Sequence, residues 1–177
     1  MDNTNEEQIP IEILEKELEN INSIPDVVSV KVEPGKLTIH TTPIYMDGVL
    51  LGNYKIELMP NSTSRFADNK IKIHNERKKV FIPASFKEMI FEGPIGSGTF
   101  HHPHIWINRI GVLHICFGNI KLGVLSLLES GEFVALTMVL LEFLKRSFGW
   151  KGIEKEEMLE FWKEEKEETK YVKQEVI

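Results

Sequence analysis

At 177 residues, with 42% hydrophobic and 27% charged residues, the chain suits one soluble domain with a proper core. Its net charge of −6 argues against a general nucleic-acid binder, which needs a basic face to neutralise phosphates. No run approaches the roughly 18 apolar residues of a membrane span, and the most apolar stretch, Phe133 to Leu141, is far too short.

The polar, acidic start, Met1 to Gln8, has no basic region before an apolar stretch, and Cys116 is the sole cysteine. Together these predict a reducing, cytoplasmic home without disulfides. Arg77-Lys78-Lys79 is a short basic run of the kind found in solvated loops.

In chain order, Ile11, Leu14, Leu18 and Ile21 recur at helical spacing with glutamates between them, and Pro10 suits a first turn. The pattern predicts an amphipathic helix over 10–22. Val27 to Glu33 is rich in β-branched residues, Pro34-Gly35 makes a turn, and Lys36 to Thr42 alternates, so a hairpin is expected. Thr42 to Gly48 reads as a turn-rich connection. Asn53 to Met59 reads as a third strand facing Tyr54, Ile56 and Leu58 to one side, and Asn69 to His74 as a fourth. Val80 to Ile82 is a further short candidate. Gly93 to Gly98 is a tight or open loop but not a phosphate loop, because no Gly-Lys-Ser/Thr follows.

Glu132 to Phe148 predicts a strong helix, with Phe133, Leu136, Leu140, Phe143 and Leu144 on one face, Ser130 as N-cap and Gly149 as stop. Residues 151–177, dominated by glutamate and lysine, predict a charged helical tail with a short apolar stripe at Met158, Phe161 and Trp162. The expected division is therefore a domain over 1–150 and a tail over 151–177.

The segment His101 to Cys116 holds four of the six histidines ahead of the single thiol. A lone cysteine is either a small buried hydrophobe or a nucleophile. If the chain before it is extended, His114 points to the same side as Cys116, where its imidazole is a candidate base or simply faces solvent. A zinc site built from these histidines and Cys116 is a rival, opposed by the stiff Pro103 and by the lack of any Cys-X-X-Cys or helical His-Glu-X-X-His spacing. A cysteine–histidine hydrolase is another, with no spacing signature behind it.

Three stretches resemble the ubiquitin-conjugating enzymes. LTIHTTPIYMDGVLLGNYKIELMP, residues 37–60, is similar to the family's second and third strands, with Ile44 inserted between Pro43 and Tyr45. His102-Pro103-His104-Ile105, then Gly111, then Ile115-Cys116 resembles the family's His-Pro-Asn to Ile-Cys run. Phe133 to Thr137 running into Val139-Leu140-Leu141 resembles its Ala-Leu-Thr and Val-Leu-Leu helix. The likeness covers roughly residues 9–148. The chain departs from the pattern at His104, where the family has Asn, and in a longer connection to Cys116. It also lacks the proline-rich run within 61–100 and carries a charged tail in place of the later helices. Such departures look like the divergent prokaryotic members.

The resemblance implies an α+β fold, an antiparallel β-meander flanked by helices. It implies that Cys116 accepts a ubiquitin-like protein as a thioester from an activating enzyme and passes it to an amine on a target protein, with no cofactor or metal. It implies that His104 stands in for the family's Asn, as an oxyanion donor or a loop-holding residue, and that His102 and Pro103 are structural. Asn108 is a further candidate donor on the connecting loop. Neighbours in anti-phage or related operons are implied as well. The alternative is a non-catalytic module of the same fold that binds a ubiquitin-like protein, with Cys116 incidental. Neither reading involves nucleic acid or membrane.

Overall fold

The computed structural model describes residues 11–64, 67–76, 99–107 and 112–146. The candidate strand at 80–82, the loop at 93–98, the basic run at 77–79, Asn108 and the tail at 151–177 lie outside the described residues.

The fold is α+β with antiparallel sheets. Helix α1 (Ile11–Asn22) leads into β1 (Val27–Glu33) and β2 (Lys36–Thr41). These strands pair from Glu33 opposite Lys36 onward, so Pro34-Gly35 is a two-residue turn. Pro34 presets its own φ, and Gly35 takes the left-handed φ of +72° that follows it. The sheet continues through β5 (Tyr54–Leu58) to β6 (Ile71–Asn75), in the order β1-β2-β5-β6. Alternation sets its faces: Leu37, Ile39, Tyr54, Ile56, Leu58, Ile71 and Ile73 are all buried.

The connection between the second and third predicted strands is itself a hairpin, β3 (Ile44–Met46) with β4 (Val49–Gly52). Asp47 and Gly48 both have positive φ, +49° and +76°, which is the type I′ geometry that matches strand twist. One helical turn, α2 (Ala67–Lys70), precedes β6.

A second, three-stranded sheet follows: β7 (Thr99–His102), β8 (Ile105–Ile107) and β9 (Leu113–Ile115). After it come a 3₁₀ turn (Gly118–Ile120), α3 (Lys121–Ser130) and α4 (Phe133–Lys145). The predicted apolar face of α4 is buried, joined by Thr137 and Leu141. The Thr137 hydroxyl is satisfied by the Phe133 carbonyl at 2.7 Å. Helix α4 packs on α1 and β3, and α1 also packs on β1, so the core lies between the main sheet and the helices.

Two expectations at the ends of α4 are corrected. Ser130 is not its N-cap: it is the last residue of α3, and its hydroxyl bonds Leu127 O and Glu132 Oε1. Gly131, at φ +75°, closes α3 with the paired bonds Glu132 N–H to Leu127 O and Gly131 N–H to Leu128 O, a Schellman stop. Capping of α4 comes from a distant residue instead. Glu17 Oε2, on α1, accepts from the Val134 N–H at 3.0 Å, placing a carboxylate at the positive end of the helix. At the other end, α4 stops at Lys145 rather than at Phe148, because Arg146 is already extended. Lys145, in the last turn, pairs with Asp26 at 2.6 Å and ties that end to the start of β1.

Among the described residues no helix is long and apolar enough to cross a membrane.

Candidate functional site

The His102-Pro103-His104-Ile105 run is the turn between β7 and β8, with His102 directly opposite Ile105. Pro103 presets one backbone angle of this two-residue connection.

His102 is fully buried, and both of its ring nitrogens are committed. Nε2 lies 2.9 Å from the Leu144 carbonyl, and Nδ1 lies 3.1 Å from the His104 N–H. Since a carbonyl only accepts and an N–H only donates, the ring is the neutral tautomer with its proton on Nε2. Burial pushes the imidazole from 6.5 down to about 3, outweighing the Leu144 bond that favours the charged form. One ring thus ties the hairpin turn to the last turn of α4.

The backbone of the same turn is held from the main sheet. The Tyr54 hydroxyl donates to His101 O at 2.9 Å, and Asn75 Nδ2 donates to the same oxygen at 3.2 Å. Tyr54 and Asn75 are cross-strand partners on β5 and β6, so one ladder rung supplies both donors. The Tyr54 ring also meets His102 edge-on, with centroids 5.8 Å apart. Nothing local in the sequence marks these two residues; their role depends on strands far apart in the chain.

His104 is 2% exposed, and its ring packs against His102 and Phe143 at 5.7 and 5.6 Å. Burial pushes its imidazole down to about 4, so it is neutral at pH 7. Its carbonyl accepts from the Cys116 N–H at 2.9 Å. The thiol-bearing residue therefore continues the β8–β9 ladder one step beyond Ile115, opposite the His-Pro-His turn.

Burial alternates without a break from Leu113 to Phe117. Leu113, Ile115 and Phe117 are buried, while His114 and Cys116 are partly exposed. This places His114 and Cys116 on one outward face. Phe117 anchors the inner side on Phe143, centroids 5.3 Å apart. His114 does not simply face solvent: its ring stacks on Trp106, its cross-strand partner, at 5.4 Å and 21°. Beyond Phe117, Gly118 turns the chain at φ +55° into the 3₁₀ turn and α3. Helix α3 thus begins five residues after Cys116, beyond the 3₁₀ turn.

The structure therefore brings together Cys116, His114 and the backbone of His104, with His102 and Pro103 forming the turn behind them. Asn108 lies outside the described residues. Among the described residues no group of three or more His, Cys, Asp or Glu side chains has the arrangement of a metal site. No protein-family profile, curated protein or solved structure matches the chain.

Proposed function

We propose that the chain is a carrier of the ubiquitin-conjugating type, in which Cys116 holds a ubiquitin-like protein as a thioester. The order of parts supports this reading: a helix, an antiparallel meander, a His-Pro-His turn, a cysteine and then a long apolar helix. One observation carries it. Cys116 is partly exposed at the end of a strand, and its backbone is hydrogen-bonded to the turn that buries His102 and His104. An inert core cysteine would instead share the inward side with Ile115 and Phe117.

The chemistry is an exchange of thioesters. Cys116 Sγ adds to the carbonyl carbon of a modifier held on an activating enzyme, and the donor thiol leaves with the proton. An amine of a target protein then attacks the Cys116 thioester and releases the thiol. The first exchange is nearly isoenergetic, so it needs no metal or cofactor, only an accessible nucleophile held in place. Of the two roles open to His104, its burial favours holding the loop. A ring enclosed by His102 and Phe143 is poorly placed to meet an oxyanion on an incoming acyl group. His114, on the same face as Cys116, is the candidate proton acceptor.

The test is a non-reducing gel of the protein with an activating enzyme, its ubiquitin-like partner and ATP. The expected result is an adduct that disappears with reductant and in Cys116→Ala. Absence of the adduct, with the activating enzyme itself charged, would instead support a non-catalytic binding module.

A further inference from the structure

We infer that Trp106 is a positioning residue for the reaction at Cys116, acting by holding the His114 imidazole on the thiol's side of β9. The inference rests on the carrier reading for its biological use, but its chemistry is testable on the thiol alone.

Three observations converge. The alternation from Leu113 to Phe117 sets His114 and Cys116 on the same outward face, two residues apart. At strand spacing their backbones are separated by about 7 Å, a gap that one water can bridge between the two side chains. The ladder does not end at Ile115, because the Cys116 N–H still bonds the His104 carbonyl. Finally, Trp106 lies opposite His114 in register and stacks nearly parallel to its ring. The flat indole face against this partly exposed ring restricts its rotamers.

The other titratable ring across this ladder is His104, which is buried, neutral at pH 7 and packed on Phe143. His114 is thus the imidazole placed to serve the thiol. In the transfer step it takes the Cys116 Sγ–H proton as Sγ bonds to the thioester carbonyl carbon. The carbon–sulfur bond to the donor then breaks, and the proton passes to the departing thiolate.

The experiment measures the rate of iodoacetamide alkylation of the folded protein between pH 6 and 8. The variants are Trp106→Ala, Trp106→Phe, His114→Ala and the double variant, each with its circular dichroism checked. The expected result is alkylation at pH 7 slowed about three- to tenfold in Trp106→Ala, with the same change in pH profile as in His114→Ala. Trp106→Phe, which keeps a stacking ring, should recover most of the rate, and Trp106→Ala should add nothing to His114→Ala. Unchanged rates in both single variants would overturn the inference. So would faster alkylation in Trp106→Ala in either background, because the indole would then be a shield. Normal alkylation effects without any modifier adduct would remove the carrier reading and leave the inference standing. An adduct with unaltered alkylation would do the reverse.

Discussion

Lowering the pH from 7.5 to 5 should destabilise this fold strongly, through two buried rings. His102 and His104 are neutral in the folded protein and stay so down to about 3 and about 4. In the unfolded chain each titrates near the ordinary value of 6.5. Between these limits the unfolded state binds more protons, so stability is full above about 6.5 and is lost as the pH falls. At pH 5 each ring contributes a loss of about 2 kcal/mol, and the pair about 4 kcal/mol. That is a large part of the roughly 5–15 kcal/mol that holds a domain together. Burial also depresses His74 and His101, which add in the same direction. Lysine partners hold Glu33 low, and the nearby Lys55, Lys36 and His74 hold Glu57 low against its burial. The support from these two carboxylates is lost only as the pH falls below about 4.5, outside this window. Urea unfolding followed by circular dichroism at half-unit steps measures the effect. His102→Gln should be less stable at pH 7.5 yet lose only about half as much on acidification to pH 5. A wild-type stability that is flat from pH 7.5 to 5, or an undiminished slope in His102→Gln, would refute the assignment of both rings as buried and neutral.

Other outcomes follow from single contacts. Glu17→Ala removes the carboxylate that caps α4 and should cost about 1 kcal/mol in urea unfolding, with Glu17→Gln losing less because it keeps an acceptor for the Val134 N–H. Tyr54→Phe should cost about 1 kcal/mol; Asn75 still donates to His101 O, so that carbonyl is not left alone. Gly118→Ala meets no steric neighbour within 4 Å, so its cost should be the left-handed backbone alone, about 1–2 kcal/mol. A much larger loss would mean that the turn after Cys116 tolerates no adjustment.

The sequence was most legible where a period repeats for long enough. Helix α1, strands β2, β5 and β6 and the inward face of α4 follow from spacing, because burial on one side demands it, whereas β1, with Val28 and Val32 exposed, was marked by its β-branched residues. The β3–β4 hairpin escaped because its strands are only three and four residues long. Its one local sign was Asp47-Gly48. Helix α3 gave no stripe: Leu122 is 82% exposed while Val124 and Leu128 are buried, so apolar residues point both ways. The misplacement of Ser130 follows from the same gap, since an unseen helix ended there and only two residues separate it from α4. At the candidate site, the cysteine and the histidines around it were visible as chemistry. The donors that fix the turn, Tyr54 and Asn75, were not, because no local pattern announces a contact between distant strands.

The most direct test of the central claim replaces Cys116 with serine. Cys116→Ser is incubated with an activating enzyme, its ubiquitin-like partner and ATP, and its intact mass is measured after treatment with reductant. Acyl transfer predicts an oxyester adduct that survives reductant and is cleaved by hydroxide, whereas the wild-type adduct is lost to reductant. A wild-type adduct with no serine counterpart, unchanged in mass from a disulfide, would contradict the thioester carrier.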